Sequence, residues 1–191
     1  MLVFINPGHA QGGMPDPGAV NMEANLRECD IAMTVGSLTG KYLEDAGCKV
    51  ELLQSHNLVG ESPAYPNVTD TANISLADVF LSIHVNAGGG RGAETFCYWR
   101  YGAAGRLAGC IQAQLVQSLQ PFDKGYADRG VKENKSLCVL RETCMPAVLV
   151  ELGFIDSADV QLLKEHQDDM ARAVARGVTD YWQESLEGIK N

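Results

Sequence analysis

Short apolar runs alternate with segments of helical periodicity along this chain of 191 residues, and this alternation is the strongest constraint on its fold. Apolar runs typical of buried strands occur at 2–6, 48–53, 79–84, 93–99, 137–140 and 147–152. Apolar residues three or four positions apart, typical of helices, occur at 27–46, 105–119 and 166–186, with shorter helices predicted at 69–76 and after the capping residues Asp156 and Ser157. Strands that alternate with helices indicate an α/β fold.

We therefore predict a single domain over residues 1–191, with a mostly parallel sheet of about six strands and helices on both faces. The chain has the length of one domain and is long enough to bury a sizeable core. Residues 7–26 and 121–136 are rich in glycine or polar residues, so we expect loops there. Long loops in compact domains are often functional.

The net charge and the hydropathy restrict the classes of partner, and the cysteine spacing bears on the redox state of the chain. A formal net charge of −9 is unfavourable for binding nucleic acid, whose phosphates require a basic surface. No apolar run approaches the roughly 18 residues of a membrane-spanning helix, so we expect neither a nucleic-acid partner nor membrane insertion. We also expect a monomer. None of the six cysteines forms a C-x-x-C pair, and we predict that they are reduced and structural.

Two of the four histidines follow predicted strands directly. His9 ends the first strand and His84 ends the third, and strand ends of an open α/β sheet form its ligand crevice. Two histidines in one crevice predict a metal site, which in a catalytic zinc centre needs a third protein ligand. Glu28, in the first turn of the following helix, and Glu23, in the preceding loop, are both candidates. The remaining histidines, His56 and His166, are expected at the surface.

Glu151 follows a buried Val-Leu-Val run, where an ionised carboxylate is unfavourable unless it has a partner or a chemical task. Next to a metal-bound water it could accept the water's proton and later pass it to a leaving amine. The structural alternative is a buried ion pair with Arg129 or Arg141.

Eight segments carry a family resemblance. In chain order they are Asn6–His9, Asp16–Ala19, Leu26–Asp30, Ala77–Ala87, Gly92–Phe96, Asp128–Lys132, Val139–Arg141 and Pro146–Ile155. With these segments the sequence resembles the zinc-dependent N-acetylmuramoyl-L-alanine amidases of the Amidase_3 type, which cleave bacterial peptidoglycan. The resemblance covers nearly the whole chain.

The resemblance implies one catalytic Zn²⁺ bound by His9, Glu28 and His84, with Glu151 as the catalytic residue, and it alone selects Glu28 over Glu23. It implies hydrolysis of the amide bond between N-acetylmuramic acid and L-alanine, with peptidoglycan as the partner. The chain departs from the family at two positions, where Gln54 and Thr71 replace commonly found arginines.

Other residues near these motifs have two interpretations each. Asn86 and Glu94 either orient a metal ligand or are ordinary turn and strand residues. Arg129 and Lys132 offer cations to an acidic stem peptide, or an arginine pairs with an aspartate structurally. Competing functions are a zinc carboxypeptidase acting on wall peptides and a non-catalytic wall-binding module.

The start of the chain lacks a basic region and a long apolar run. We therefore expect cytoplasmic synthesis and action on the cell wall after release by lysis or a holin, as in an endolysin or a mother-cell lytic enzyme. The alternative is an autolysin whose signal was removed.

Overall fold

The protein, described here as a computed structural model over residues 1–188, is built on a central sheet of six strands. The eight strands within the described residues are β1 (Leu2–Pro7), β2 (Val20–Asn21), β3 (Leu26–Arg27), β4 (Lys49–Leu52), β5 (Val79–Asn86), β6 (Ala93–Cys97), β7 (Asp128–Glu133) and β8 (Ala147–Phe154). The central sheet has the order β4-β1-β5-β8-β6-β7, and β2 pairs with β3 in a separate two-stranded hairpin. Strands β4, β1, β5 and β8 are parallel, whereas β6 runs antiparallel to β8 and β7 runs parallel to β6.

In the part of the chain that the structure describes, six α-helices cover both faces of the sheet, but unequally. They are α1 (Glu28–Asp45), α2 (Val68–Ser75), α3 (Ala103–Leu119), α4 (Cys138–Arg141), α5 (Val160–Glu165) and α6 (Gln167–Gly188). The long helices α1, α3 and α6 pack with α5 against one face in the larger core cluster. The short helices α2 and α4 cover the other face around Phe4 and Phe80. The predicted α/β class, the mostly parallel six-stranded sheet and the two helical layers are therefore confirmed.

The alternation of side chains along the central strands explains this layering. In β5, Val79, Leu81 and Ile83 belong to the larger cluster, whereas Phe80 belongs to the smaller one. Because both faces are buried, the strands appear in the sequence as nearly continuous apolar runs. The same alternation places His84 on the face of the smaller cluster, beyond the region that α2 and α4 cover.

Four local predictions were wrong. Residues 128–133 form strand β7 rather than a loop, and residues 138–141 form helix α4 rather than a strand. The predicted loop 7–26 contains a 3₁₀ turn at Gln11–Gly13 and the first strand of the hairpin. Helix α5 begins after Asp159, because Asp156 instead accepts hydrogen bonds from the backbone N–H groups of Gly88 and Gly89.

Two further features concern the whole described chain. No helix within residues 1–188 is long and apolar enough to cross a membrane. All six cysteines are unpaired in the described part of the chain, and Cys29 and Cys97 are buried whereas Cys144 is exposed.

Candidate metal centre

His9, Glu28 and His84 converge at the carboxyl end of the parallel strands. His9 lies just beyond β1, His84 lies in β5, and Glu28 is the first residue of α1. One ligand atom of each residue lies within 4.8 Å of the ligand atoms of the other two. The two imidazole rings meet edge to face, with centroids 5.0 Å apart.

The Glu28 carboxylate is the centre of this cluster. Its Oε1 lies 3.0 Å from His9 Nε2 and 3.0 Å from His84 Nδ1, and it accepts a hydrogen bond from the Val85 backbone N–H. Its Oε2 accepts a hydrogen bond from the Ala19 backbone N–H. Burial acts to raise the pKa of Glu28, but the hydrogen bonds and charges of His84 and His9 outweigh it and hold that pKa far below its ordinary value.

Asp16 contacts the ring nitrogen of His9 that does not face Glu28, a contact that was not predicted from the sequence. His9 Nδ1 lies 2.8 Å from Asp16 Oδ2, and Asp16 Oδ1 accepts a hydrogen bond from the Gly18 N–H. Burial acts to lower the pKa of His9, but its contacts with Glu28 and Asp16 outweigh burial and raise that pKa to about 9. The Asp-Pro-Gly turn close after His9 was the available sequence signal.

Two glycines make room for the histidine rings. A Cβ on Gly8 would lie 2.4 Å from the His84 ring. A Cβ on Gly18 would lie 2.5 Å from the His9 ring and 2.6 Å from a carboxylate oxygen of Glu28. Gly18 also has a φ of +67°, in the left-handed region that favours glycine. The loop between β1 and α1 can therefore fold over the cluster only with glycine at these positions.

Gln54, where many family members have arginine, joins the two chain segments that carry His9 and Glu28. Its buried side-chain amide donates hydrogen bonds to the backbone carbonyls of Gly8, at 3.1 Å, and Cys29, at 2.9 Å. Each carbonyl belongs to the residue next to a member of the cluster. The position at which this chain departs from the family pattern therefore lies directly beside the cluster.

Glu151 lies beside His84, since the two residues are direct register partners in β8 and β5. Its Oε2 is buried and has no hydrogen-bond partner within the described part of the chain. Burial raises the pKa of Glu151 to about 7, and the charges of Glu28 and Glu94 add to this effect. The expected alternative of an ion pair does not hold, because Arg129 binds Glu94 and Arg141 binds Glu142.

The other candidates lie outside the cluster. Glu23 is exposed in the β2–β3 hairpin, whereas Glu28 lies in the cluster with His9 and His84. His56 packs against Tyr65, and His166 pairs with Asp169. Both histidines are half-buried rather than exposed.

The donor set fits a catalytic zinc ion. Two imidazoles and one carboxylate are a known ligand set for such sites, which leave one coordination position open. Ligands about 2.0–2.2 Å from a tetrahedral zinc ion lie roughly 3.4 Å from each other. The 3.0 Å separations between Glu28 and the histidine nitrogens are close to that value.

Comparison with known proteins gives consistent matches across the chain. The family model described as N-acetylmuramoyl-L-alanine amidase matches residues 3–180. The sporulation-specific N-acetylmuramoyl-L-alanine amidase of Bacillus subtilis is 36% identical over 92% of this chain and 66% of its own length. The endolysin of Bacillus phage SPP1 is 32% identical over 94% of this chain and 65% of its own length. The chain thus spans about two thirds of the length of these relatives.

Solved structures agree with the fold. The amidase AmiC2 of Nostoc punctiforme superposes with a TM-score of 0.79 at 29% identity, covering 96% of this chain and 97% of that one. An N-acetylmuramoyl-L-alanine amidase from Clostridium difficile 630 superposes with a TM-score of 0.77 at 30% identity, covering 95% of this chain and 96% of that one.

Proposed function

Because the chain belongs to the N-acetylmuramoyl-L-alanine amidase family, we propose that it hydrolyses the amide bond between N-acetylmuramic acid and L-alanine in bacterial peptidoglycan. The observation that carries this proposal is the cluster of His9, Glu28 and His84 beside a Glu151 oxygen that has no partner within residues 1–188. A site for one metal ion next to a carboxylate with a buried oxygen that has no partner among the described residues suits metal-assisted hydrolysis.

In this proposal His9, Glu28 and His84 bind one zinc ion. When bound, zinc supplies a Lewis acid for the lactyl carbonyl and lowers the pKa of a coordinated water. Asp16 fixes the orientation of His9 through Nδ1, which leaves Nε2 for the metal. The backbone N–H groups of Ala19 and Val85 fix the Glu28 carboxylate in the same way.

Glu151 is the proposed general base and general acid. Its Oε2 accepts the proton of the attacking water and later transfers it to the alanine nitrogen as the amide bond breaks. A pKa of about 7 suits both steps, because a group of this pKa can hold and release a proton near neutral pH. Because Oε2 is buried, bulk water has little access to that proton.

The family match over residues 3–180 favours an amidase over the carboxypeptidase and wall-binding hypotheses. We infer that residues 1–191 act as one catalytic domain, a monomer, on the cell wall. The names of two relatives, a sporulation-specific amidase and a phage endolysin, describe both settings expected from the sequence.

Digestion of purified peptidoglycan tests the proposal. New alanine N-termini and new reducing sugar ends are measured for the zinc-loaded protein, for the protein with a chelator, and after zinc is added back. We expect alanine N-termini without reducing ends, lost with chelator and restored by zinc. Alanine release that is unaffected by chelator would contradict the zinc mechanism. Release of C-terminal amino acids alone would favour the carboxypeptidase hypothesis. The absence of any released product would favour the wall-binding module.

A further inference from the structure

A row of charged side chains runs across one face of the sheet, starting at the metal centre. His84 pairs with Glu151 in register, and Glu151 pairs with Glu94 on β6. Strand β7 lies next to β6, with Lys132 opposite Phe96. The larger core cluster contains at least one sequence neighbour of His84, Glu151 and Glu94, and Val131 beside Lys132 packs against it, so these polar side chains share the opposite face.

The row ends in a cluster with more positive than negative charge. The Glu94 carboxylate is only 3% exposed. Its Oε1 accepts a hydrogen bond from Asn86 Nδ2 at 2.6 Å, and its Oε2 binds Arg129 Nε at 2.9 Å and Lys132 Nζ. The two cations share one carboxylate, which leaves one positive charge at the cluster. Asn86 thus holds the Glu94 carboxylate, and Glu94 in turn positions Arg129 and Lys132.

Arg129 and Lys132 are available to a further anion. Their side chains are 34% and 39% exposed. The Arg129 guanidinium lies over the Phe154 ring, with its carbon 4.8 Å from the ring centroid, and reaches Glu94 through Nε. Its two terminal amino groups make no hydrogen bond within the described residues, and such a pair can bind a carboxylate in bidentate fashion.

The spacing fixes where on the substrate such an anion would lie. One strand separation and one hydrogen bond put the cations about 8 Å from Glu151. An extended peptide covers about 3.3–3.6 Å per residue, so this distance corresponds to the second residue of the leaving peptide. The N-acetylated glycan carries no charge on the other side of the scissile bond, so the cations suit the peptide.

We propose that Arg129 and Lys132 form a subsite for a free carboxylate on the second residue of the stem peptide, with Glu94 and Asn86 as positioning residues. This inference rests on the proposed amidase function. Stem peptides with glutamate at this position carry the carboxylate, whereas those with isoglutamine carry an uncharged amide. The enzyme therefore favours the carboxylate form.

A mixed-substrate digestion tests the subsite. Two disaccharide tripeptides that differ only in a carboxylate or a carboxamide at the second residue are digested together by the zinc-loaded protein. We expect an about tenfold higher kcat/KM for the carboxylate form, which corresponds to about 1.4 kcal/mol. The difference resides in KM, because a contact remote from the scissile bond stabilises ground and transition states alike.

Variants separate recognition from structure. In Arg129→Gln and Lys132→Met we expect the preference to fall to about twofold or less, because kcat/KM falls more for the carboxylate form than for the carboxamide form. A purely structural role would lower cleavage of both forms equally. The matched control is Arg141→Gln, since Arg141 pairs with Glu142 and lies beside Tyr98 and Trp99 past the other end of β6. It should keep the full preference.

The outcomes distinguish this inference from the proposed function. Equal cleavage of both forms by the wild type would overturn the subsite and leave the amidase function intact. If the protein digests polymeric peptidoglycan but cleaves neither tripeptide, recognition depends on another part of the polymer. This result would also overturn the proposed carboxylate subsite. Failure to release alanine N-termini from any substrate would remove the proposed function and this inference together.

Discussion

Glu151 combines two properties that rarely occur together in a residue without a chemical task. Its Oε2 is buried although the residue as a whole is half-buried, and this atom has no hydrogen-bond partner in the described structure. A residue retained only for stability would be expected to have a partner, because an unpaired buried polar atom is unfavourable. A substitution that removes the ionisable carboxyl group but keeps the side-chain shape therefore distinguishes a loss of catalysis from a loss of packing.

We expect Glu151→Gln to lower the rate of alanine release by roughly 10²–10⁴-fold, the contribution of a general acid–base residue. Zinc content should stay at one ion per chain, because Glu151 is not among the three converging ligands. Peptidoglycan digestion and metal analysis measure the two quantities. Glu23→Gln, at an exposed loop position, is the control and should retain full activity. Activity near wild type in Glu151→Gln would refute its catalytic role.

The elevated pKa of His9 predicts that zinc binding depends on pH. In the metal-free protein His9 holds its proton up to a pKa of about 9, and zinc must displace that proton. Glu28 is already ionised, because its pKa lies well below neutral, so it releases no proton. Zinc affinity should therefore rise about tenfold per pH unit from about pH 6.5 to 8.5 and level off above about pH 9.

Competition with a chromophoric chelator measures this dependence. The Glu151→Gln variant is the suitable protein, since it removes the ionisation of Glu151 near pH 7 from the measurement. An affinity that does not change over this pH range would show that His9 carries no proton to displace.

At the residue scale, three of the four proposed site residues were predictable because they lie in or shortly after buried strands. His9, His84 and Glu151 interrupt apolar runs that parallel strands bring to one edge. The sequence alone did not separate Glu28 from Glu23, because both lie between the first strand and the body of the following helix. Their difference is burial, which depends on how the hairpin between β1 and α1 folds. Asp16 was missed because its contact with His9 depends on a turn within that loop.

Among the structural elements, the loop between β1 and α1 has the most demanding backbone. Gly12 and Gly18 both have positive φ, at +72° and +67°. A Cβ on Gly12 would have nothing within 4 Å, whereas one on Gly18 would collide with the His9 ring and Glu28. The two positions thus share the backbone strain and differ only in contact with the metal centre.

This pair gives a matched test of how the loop shapes the centre. Alanine at either glycine should lower the free energy of unfolding by about 1 kcal/mol through the left-handed backbone. Only Gly18→Ala should also weaken zinc binding, by at least about tenfold, because it displaces two ligands. Thermal unfolding and zinc competition give the two readouts. Equal zinc affinity in both variants would mean that the loop adapts without moving His9 or Glu28.

Two elements escaped prediction for different physical reasons. Strand β7 is one of the two edge strands of the central sheet, so its exposed side chains are polar and its sequence resembles a loop. Helix α4 has only four residues, and a short apolar run does not distinguish a strand from a buried helical turn. In both cases the tertiary position of the segment, rather than its own pattern, decided the structure.

For the whole molecule, the arrangement of helices explains why the centre is accessible. The long helices cover one face completely, whereas α2 and α4 cover only part of the other. The polar row from His84 through Glu151 to Glu94 lies on that second face, beyond the smaller core cluster. The fold class predicts that a site lies at the strand ends, but the face on which it opens depends on the lengths of the covering helices.

Because the metal centre lies at the edge of a core that is complete without it, the metal-free protein should stay folded. The ligands also satisfy each other in the absence of zinc, since Glu28 contacts both histidines. Zinc at about 100 times its dissociation constant should add about 2.7 kcal/mol of stability. For a domain of this size that corresponds to a rise in Tm of roughly 5–10 °C.

Thermal unfolding with chelator, and with increasing free zinc, measures this shift, and circular dichroism reports whether the chelated protein keeps its helices. The Tm should rise with the logarithm of zinc concentration once zinc exceeds its dissociation constant. The Glu28→Gln variant weakens the central ligand and should lose most of the shift while remaining folded. A chelated protein without cooperative unfolding would mean that zinc completes the fold. A Tm that is unaffected by zinc would mean that the three ligands bind no metal in the native state.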